Sequence, residues 1–190
     1  MKINLLGSGY MGKQICSLFV ILGYDVVIWQ NSTENLDDLL KNEIKKLEKV
    51  YNIASSGNYK IEKNLNNLEK NFTIETLTED LNIKQKIISK LKFKDNIFSN
   101  TSSLSPYDLG ENINILHFMN PITTPIVEIY KTENYKSEDL NKVIKSLKNL
   151  SFDIIEVKNI PGFLVNRILF KNLSYFFYLL ESEKNNINDL

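Results

Sequence analysis

The hexapeptide Gly7-Ser8-Gly9-Tyr10-Met11-Gly12 follows a short apolar run, Ile3 to Leu6, and precedes an apolar segment with helical spacing, about Met11 to Leu22. The pattern G-x-G-x-x-G between a strand and a helix predicts a dinucleotide-binding turn. The first glycine permits the tight turn, the second lets a pyrophosphate approach the backbone, and the third allows close helix–strand packing. Unpaired N–H groups at the start of the helix would face the phosphates. A glycine turn without a ligand is the alternative interpretation.

The end of the second predicted strand, Asp25 to Trp29, bears on the choice of cofactor. An acidic residue is expected there in an NAD site, where it bonds the ribose and its charge repels a 2′-phosphate. This chain has Gln30 in that place, which can hydrogen-bond a ribose hydroxyl but carries no charge. No arginine or lysine follows closely in the sequence to bind a 2′-phosphate, so the sequence favours NAD over NADP.

Strand and helix patterns alternate along most of the chain. Such alternation predicts an α/β fold, a Rossmann-like doubly wound and mostly parallel sheet covered on both faces. The stretch from Tyr59 to Lys70 is polar and gives no clear pattern. Further strands are predicted at 72–77, 96–99, 113–118, 126–130 and 153–157, and further helices at 36–51, 84–91 and 137–150.

Residues 163–180 differ from the rest because they form one long helical segment that is apolar nearly all round. Such a helix should be buried, since large apolar patches rarely stay uncovered. We therefore hypothesise that it pairs with the same helix of a second copy, or with a partner subunit. The predicted division is a dinucleotide-binding domain at 1–160 and a helical unit at 161–190.

Composition and charge describe an ordinary globular protein. The formal net charge is +0, with 43% hydrophobic and 24% charged residues. Nothing in this balance indicates a nucleic-acid partner or an anionic membrane surface. A single cysteine, Cys16, fits a reducing compartment, and no apolar run approaches the ~20 residues of a membrane span. The chain also starts in a strand, without a signal-peptide pattern, so we expect a cytoplasmic protein, and no metal site.

The one histidine of the chain, His117, stands in Leu116-His117-Phe118-Met119-Asn120-Pro121, and Glu128 follows a few residues later. A side chain that titrates near neutrality, beside a carboxylate that could fix its tautomer, suits proton transfer in dehydrogenation. A histidine that only satisfies the core or the surface is the alternative.

Four separated segments together resemble the NAD-binding domain of the L-3-hydroxyacyl-CoA dehydrogenases. Other Rossmann dehydrogenases share the glycine turn but not the remaining three segments. The resemblance spans nearly the whole chain. In the order of that family, the segments are Gly7–Gly12, Ser99-Asn100-Thr101-Ser102-Ser103-Leu104, His117-Phe118-Met119-Asn120-Pro121 and Pro161-Gly162-Phe163-Leu164-Val165-Asn166-Arg167.

The resemblance implies NAD-dependent interconversion of 3-hydroxyacyl-CoA and 3-oxoacyl-CoA in fatty-acid metabolism. His117 would take the 3-hydroxyl proton while hydride leaves C3 for the nicotinamide, and Glu128 would hold the imidazole and stabilise its protonated form. Ser102 and Asn166 would hydrogen-bond the reacting oxygen and the thioester. The resemblance adds Glu79, Lys84, Asn100 and Asn120 as cofactor contacts. The dinucleotide motif itself predicts the others, which are Gly7, Gly9, Tyr10, Met11, Gly12 and Gln30.

Structural roles compete with several of these assignments. Ser102 and Ser103 could simply cap a helix. Asn166 and Arg167 could be helix-surface residues, and Lys84 could be a solvated lysine in a lysine-rich chain.

The sequence also departs from the family beyond Gln30. The segment from Pro121 to Glu128 is one residue shorter than usual, which leaves the position of Glu128 against His117 open. The helical domain that closes the substrate cleft and forms the dimer in that family is represented only by its first helix. The connection at 36–70 is shorter than the helical hairpin that helps to hold CoA.

These departures leave other functions open. One is a non-catalytic or partner-dependent module that binds a dinucleotide or an acyl-CoA, and another is a related hydroxy-acid dehydrogenase. The acyl carrier could be CoA or acyl carrier protein. The sequence favours the enzyme, as a homodimer or with a partner subunit.

Overall fold

A single eight-stranded sheet runs through residues 1–182, the part of the chain that the computed structural model describes. The strands are β1 (Lys2–Leu6), β2 (Asp25–Trp29), β3 (Asn58–Glu62), β4 (Phe72–Glu75), β5 (Ile97–Ser99), β6 (Ile113–Phe118), β7 (Ile126–Tyr130) and β8 (Asp153–Glu156). The helices are α1 (Tyr10–Ile21), α2 (Leu36–Tyr51), α3 (Leu81–Ser89), α4 (Pro106–Leu109), α5 (Asp139–Asn149) and α6 (Val165–Ser182), with a 3₁₀ turn at Leu65–Asn67.

The sheet order is β3-β2-β1-β4-β5-β6-β7-β8, and the pairing of β6 with β7 is antiparallel whereas the other pairs are parallel. The chain moves outward from β1 to β3 and then returns to β4 on the other side of β1. This reversal opens a crevice beyond the carboxyl ends of β1 and β4, which is where doubly wound sheets bind ligands. The predicted Rossmann-like, mostly parallel fold is confirmed.

Both faces of the sheet are covered, because neighbouring residues of one strand enter different apolar clusters. Leu5 and Ile28 pack in the larger cluster with α1 and α2. Leu6 and Trp29, the next residue along each strand, pack in a smaller cluster with α3. This two-sided burial explains why the central strands are apolar at nearly every position.

Two elements were missing from the sequence prediction. Strand β3 lies within the polar stretch, at the outer edge of the sheet beside β2. Only Glu62 among the five residues of β3 is buried, so the composition of the strand resembles that of a loop. The single turn of α4 is capped by Ser105, whose hydroxyl accepts a hydrogen bond from the backbone N–H of Tyr107 at 3.3 Å.

The long apolar segment is a helix, as predicted, but the other residues that the structure describes do not cover it. No residue of α6 is buried, and Phe170 and Phe177 are 61% and 55% exposed. The covering surface that we hypothesised therefore stays a prediction. Of the predicted unit 161–190, residues 183–190 lie outside the described residues. Within residues 1–182, no helix is long and apolar enough to cross a membrane.

Candidate active site

The glycine turn joins β1 to α1 at the head of the crevice. Gly7 has φ +109°, and a Cβ there would lie 2.9 Å from the carbonyl oxygen of Thr76 on the neighbouring strand connection. A Cβ on Gly12 would lie 2.2 Å from the carbonyl oxygen of Gly7, so helix and strand could not pack as they do. A Cβ on Gly9 would meet nothing within 4 Å. The space beside Gly9 and the free N–H groups of the first turn of α1 fit a pyrophosphate.

Gln30 lies directly after β2, as the sequence predicts, but its side chain points into the protein. It is 1% exposed, and its Nε2 donates to the hydroxyl of Ser32 at 2.8 Å and to the carbonyl oxygen of Glu34 at 2.9 Å. Its Oε1 accepts a hydrogen bond from Nζ of Lys63 at 3.0 Å. A bond from Gln30 to a ribose would have to compete with these contacts and stays a prediction. Lys63 is distant in sequence, so sequence reasoning missed it.

His117 and Glu128 face each other across the antiparallel pair β6–β7, where they are register partners. Directly opposed residues of such a pair point to the same face of the sheet. The distance from Nδ1 of His117 to Oε2 of Glu128 is 2.7 Å. The shorter segment before Glu128 therefore does not separate the two side chains, and the ring of buried Phe163 lies 6.0 Å from the His117 ring, between centroids.

The Glu128 carboxylate is completely buried and fully hydrogen-bonded. Its second oxygen, Oε1, accepts hydrogen bonds from the backbone N–H groups of Leu164 at 2.7 Å and Val165 at 2.9 Å, where α6 begins. Burial raises the pKa of Glu128, but the hydrogen bonds from His117, Val165 and Leu164 outweigh it and hold the pKa below its usual range. Glu128 is thus an ionised carboxylate at neutral pH.

Glu79 organises the loop that carries Ser102. Its Oε1 accepts from four donors, namely the Thr101 hydroxyl, the Ser102 N–H, and both the N–H and the hydroxyl of Ser103. Burial raises the pKa of Glu79, but these hydrogen bonds and the charge of Lys84 together lower it. The alternative in which Ser102 or Ser103 caps a helix is wrong, because the cap of α4 is Ser105.

Lys84 is 1% exposed, so its interpretation as a solvated surface lysine is wrong. Its ammonium lies 2.7 Å from Oε1 of Glu75 and 3.3 Å from Oε2 of Glu79, and it donates to the carbonyl oxygen of Leu77 at 3.1 Å. Glu75 is fully buried and also accepts a hydrogen bond from the Ser99 hydroxyl. Sequence reasoning missed Glu75. Its signal was a charged residue at the carboxyl end of a strand that is otherwise apolar and β-branched, beside the crevice.

Three asparagines approach the crevice from different elements. Asn100, directly after β5, accepts a hydrogen bond on Oδ1 from the N–H of Phe118 at 2.8 Å. Asn166, in the first turn of α6, donates from Nδ2 to the carbonyl oxygen of Ser102 at 3.2 Å. Asn120 is exposed at the end of the β6 loop. Asn166 is half-buried against the crevice whereas Arg167 is exposed, so the helix-surface alternative holds for Arg167 alone.

The crevice is an open cleft of about 700 Å³, which is the size of a small-molecule site. Most predicted site residues line it, but Gly7 and Gly12 stay inside the turn, Gln30 lies to one side, and Glu128 stands behind His117. The predicted residues that line the cleft are Gly9, Tyr10, Met11, Glu79, Lys84, Asn100, Ser102, His117, Asn120 and Asn166.

The fold and this cleft define the class of protein. A glycine turn at the reversal of a doubly wound sheet, facing a buried histidine–carboxylate pair, is the arrangement of a Rossmann-type dinucleotide-binding domain with an acid–base group at its site. The chain belongs to the family of NAD-binding domains of 3-hydroxyacyl-CoA dehydrogenases, whose model matches residues 2–160. NAD is the cofactor of this family.

Curated relatives agree with this family. The chain is 29% identical to a 3-hydroxybutyryl-CoA dehydrogenase of Clostridioides difficile, over 89% of this chain and 68% of that protein. It is 28% identical to the mitochondrial hydroxyacyl-coenzyme A dehydrogenase of Sus scrofa, and to a fatty acid oxidation complex subunit alpha of Idiomarina loihiensis. It spans 62% of the length of the former and 27% of the latter.

Solved structures show the same fold. The (S)-3-hydroxybutyryl-CoA dehydrogenase of Ralstonia eutropha superimposes with a TM-score of 0.78 at 23% identity, over 99% of this chain and 74% of that chain. A 3-hydroxyacyl-CoA dehydrogenase of Archaeoglobus fulgidus gives a TM-score of 0.74 at 24% identity, over 100% of this chain and 66% of that chain.

Proposed function

We propose that this chain transfers hydride between NAD(H) and a 3-hydroxyacyl thioester, interconverting the 3-hydroxyacyl and 3-oxoacyl forms. The observation that supports this most directly is the His117–Glu128 pair, 2.7 Å apart and opening onto the cleft beside the glycine turn. The proposed substrate class comes from the names of the relatives, several of which are hydroxyacyl-CoA dehydrogenases.

His117 is the proposed general base and acid. Its Nδ1 is occupied by Glu128, so a neutral ring carries its proton on Nδ1 and leaves Nε2 free to accept a proton. In the oxidation, Nε2 would take the proton of the 3-hydroxyl group. In the reduction, the same nitrogen would return a proton to the 3-oxo oxygen.

Glu128 is the proposed positioning residue for that imidazole. An ionised carboxylate at 2.7 Å stabilises the imidazolium that forms when His117 takes up a proton. It also selects the tautomer, since only a proton on Nδ1 can be donated to Oε2. Phe163 lies beside the ring, and His117 and Glu128 are themselves buried, so bulk water has little access to the hydrogen bond between them.

Ser102 and Asn166 are proposed to bind the acyl part of the substrate. Both line the cleft, and the bond from Asn166 to the Ser102 carbonyl oxygen holds the two residues together. The Ser102 hydroxyl and the second N–H of Asn166 can donate to the reacting oxygen or to the thioester carbonyl. Glu79 fixes the Ser102 backbone from the other side.

The cofactor would be held along the carboxyl ends of β1, β4 and β5. Gly9 and the N-terminus of α1 fit its pyrophosphate, and Asn100, Asn120 and the Glu79–Lys84 pair line the inner part of the cleft. When bound, nicotinamide accepts or supplies the hydride at the carbon that bears the reacting oxygen.

The test is NADH consumption by the purified chain with acetoacetyl-CoA, compared with a His117→Gln variant. We expect turnover to fall by about 10²- to 10⁴-fold in the variant, because a general acid is removed while the cleft is retained. Lys148→Gln, an exposed substitution on α5, is the control and should keep full turnover.

Two results would contradict the proposal. One is an unchanged rate in His117→Gln, and the other is a folded chain that does not bind NADH. Cofactor binding without turnover would instead favour a partner-dependent module. The exposed face of α6 supports that second candidate, because Val165, Asn166 and Leu169 line the cleft from a helix that no other part of residues 1–182 covers. Addition of a partner subunit should then restore turnover.

The partner that we propose for α6 is a second copy of this chain or a separate subunit, which would cover its apolar side chains and the adjoining mouth of the cleft. We further propose that the protein acts in the cytoplasm on CoA or acyl-carrier-protein thioesters. Neither carrier is distinguished by the residues that line the cleft.

A further inference from the structure

The outer end of the cofactor cleft, at the end of β2, has a charge pattern of its own. In a dinucleotide site an acidic side chain at this point excludes a 2′-phosphate by repulsion. Here the position belongs to Gln30, a neutral amide that is held inward by Ser32 and Glu34. The main electrostatic barrier against a 2′-phosphate is therefore missing.

The charged group beside Gln30 is the ammonium of Lys63, a cation, rather than the carboxylate that is typical of NAD sites. Strand β3 runs parallel to β2, with Glu62 in register with Trp29, so the next residue, Lys63, emerges beside Gln30. Its Nζ donates to Oε1 of Gln30 at 3.0 Å and to the carbonyl oxygen of Ser32 at 2.8 Å. An ammonium has three N–H donors, which leaves one for a ligand.

A hydroxyl lies next to this ammonium. The Ser32 side chain accepts its hydrogen bond from Gln30 at 2.8 Å and so keeps its own proton to donate. Ser32 and Lys63 are both exposed, and Gln30 connects them. An ammonium and a hydroxyl that are both hydrogen-bonded to the same buried amide are suitable donors for a phosphate monoester.

The carboxylates near this place are already paired. Glu34 lies 3.5 Å from Nζ of Lys13 on α1. The Glu62 carboxylate is turned back into its own loop, where it accepts from the N–H of Asn64 and from the Asn67 amide and lies 3.3 Å from Nζ of Lys60. The Lys63 ammonium is accordingly the charge that a ligand beside Ser32 would meet first.

We propose that the adenosine end of this cleft accepts a 2′-phosphate, so that the chain binds NADP(H) as well as NAD(H), with Lys63 and Ser32 as the phosphate ligands. The proposal rests on the proposed function only in taking the glycine turn as the dinucleotide site. It concerns binding and makes no demand on His117 or on the thioester.

The single tryptophan of the chain reports on this place. Trp29 precedes Gln30, and its indole Nε1 donates to the carbonyl oxygen of Lys63 at 3.2 Å. Quenching of its fluorescence therefore measures binding without any turnover. We would titrate the chain of 190 residues with NADH and with NADPH. Separate titrations would use 2′,5′-ADP and 5′-ADP, which carry the adenosine end with and without the 2′-phosphate.

We expect the dissociation constants for NADPH and NADH to agree within about tenfold, and 2′,5′-ADP to bind more tightly than 5′-ADP. Lys63→Gln should weaken NADPH by about tenfold, because one charge-assisted hydrogen bond is lost, and leave NADH within about twofold. Ser32→Asp should have the same selective effect by restoring a negative charge at an exposed site. Lys46→Gln, an exposed lysine on α2, is the control for net charge and should change neither constant.

NADPH binding at least a hundredfold weaker than NADH binding would overturn the proposal and leave the proposed function intact. Equal weakening of both cofactors by Lys63→Gln would also overturn it, because the lysine would then support the fold of the site rather than bind the phosphate. If neither cofactor quenched Trp29 or bound by calorimetry, both this proposal and the proposed function would fail.

Discussion

Lys84 shows at the scale of one residue how this site uses buried charge. An ammonium that is 1% exposed would be unstable alone, but here it lies between two carboxylates, at 2.7 Å from Glu75 and 3.3 Å from Glu79. Through Glu79 it also steadies the loop of Ser102. Such a cluster stabilises the fold only while it is complete, because a lone buried charge is costly.

Removal of the Lys84 ammonium should therefore destabilise the fold. We expect Lys84→Met to lower the free energy of unfolding by about 3 kcal/mol, since it leaves Glu75 fully buried without its cation. Urea unfolding followed by circular dichroism measures the change. Lys86→Met, at an exposed position of the same helix α3, should change the free energy by less than about 0.5 kcal/mol. A cost for Lys84→Met as small as that of Lys86→Met would show that the cluster does not contribute as we describe.

The pKa values of Glu128 and Glu79 predict how stability depends on pH. Both pKa values are lowered in the folded protein, because hydrogen bonds outweigh burial. Their stabilisation is complete above the ordinary pKa of glutamate, about 4.3, and is lost as the pH falls through the lower pKa of the folded state. Urea midpoints should therefore drop below about pH 4.5.

Glu128→Gln should make this dependence shallower, since one of the carboxyls whose pKa is lowered in the folded protein no longer titrates. Glu111→Gln, at an exposed position, is the matched control and should leave the slope of the wild-type chain unchanged. If the urea midpoint depended on pH equally in the wild-type chain and both variants, the lowered pKa of Glu128 would be contradicted.

Single residues also mark the limit of what the sequence could predict. The positions of His117, Ser102 and Asn166 at the cleft could be predicted because these residues stand in segments typical of a family, and Glu128 could be predicted because it follows His117 closely in the sequence. Lys63 could not, because its contact with Gln30 joins residues 33 apart, and it depends on the pairing of an edge strand that the sequence did not reveal.

At the scale of elements, the glycine turn makes a prediction that separates folding from binding. Gly12→Ala places a Cβ 2.2 Å from the Gly7 carbonyl oxygen, so it should destabilise the fold and abolish NADH binding together. Gly9→Ala meets no atom within 4 Å and has an ordinary φ of −65°, so the fold should keep its stability. The added methyl should nevertheless weaken NADH binding by about tenfold or more, because it occupies the approach of the pyrophosphate.

Thermal unfolding and NADH fluorescence, measured on both variants and the parent chain, give the two readouts. Gly110→Ala would not serve as a control because Gly110 has φ +145°. Ser89→Ala, at the exposed end of α3, is suitable. If Gly9→Ala bound NADH as tightly as the parent chain, the pyrophosphate could not lie beside Gly9.

The elements that the sequence predicted well are those buried on two faces. The runs that became β1, β2 and β6 are apolar because both sides are covered, and this makes them easy to recognise. Strand β3 has one covered face and an open edge, so its alternation is diluted by polar residues. The short segment before Glu128 left the position of its carboxylate open in the sequence. The register of β6 with β7, rather than the length of the loop, places that carboxylate opposite His117.

At the scale of the whole molecule, α6 is the surface that needs an explanation. Its aromatic and aliphatic side chains are exposed on all sides of an 18-residue helix. Exposed apolar areas of this kind are typical of interaction surfaces. The chain should therefore elute as a dimer or larger species at micromolar concentration, as measured by size-exclusion chromatography with light scattering.

Charge placed in that surface should weaken the association. We expect Phe170→Glu and Phe177→Glu to shift the chain toward the monomer, whereas Asn172→Glu, a polar position of the same helix, should leave the assembly unchanged. A parent chain that is monomeric and soluble at these concentrations would exclude the proposed covering of α6.

The start of α6 and the imidazole of His117 are hydrogen-bonded to the same carboxylate, that of Glu128, one to each oxygen. Any binding event that orders or unwinds the start of α6 therefore also changes the hydrogen bonds of Glu128, the side chain that contacts His117. Unwinding of the first turn of α6 would remove two hydrogen-bond donors from Glu128. The pKa of its carboxyl would then rise, and Glu128 would accept the proton on Nδ1 of His117 more readily. The proposed general base, His117, is in this way linked to the exposed surface of α6 by one glutamate.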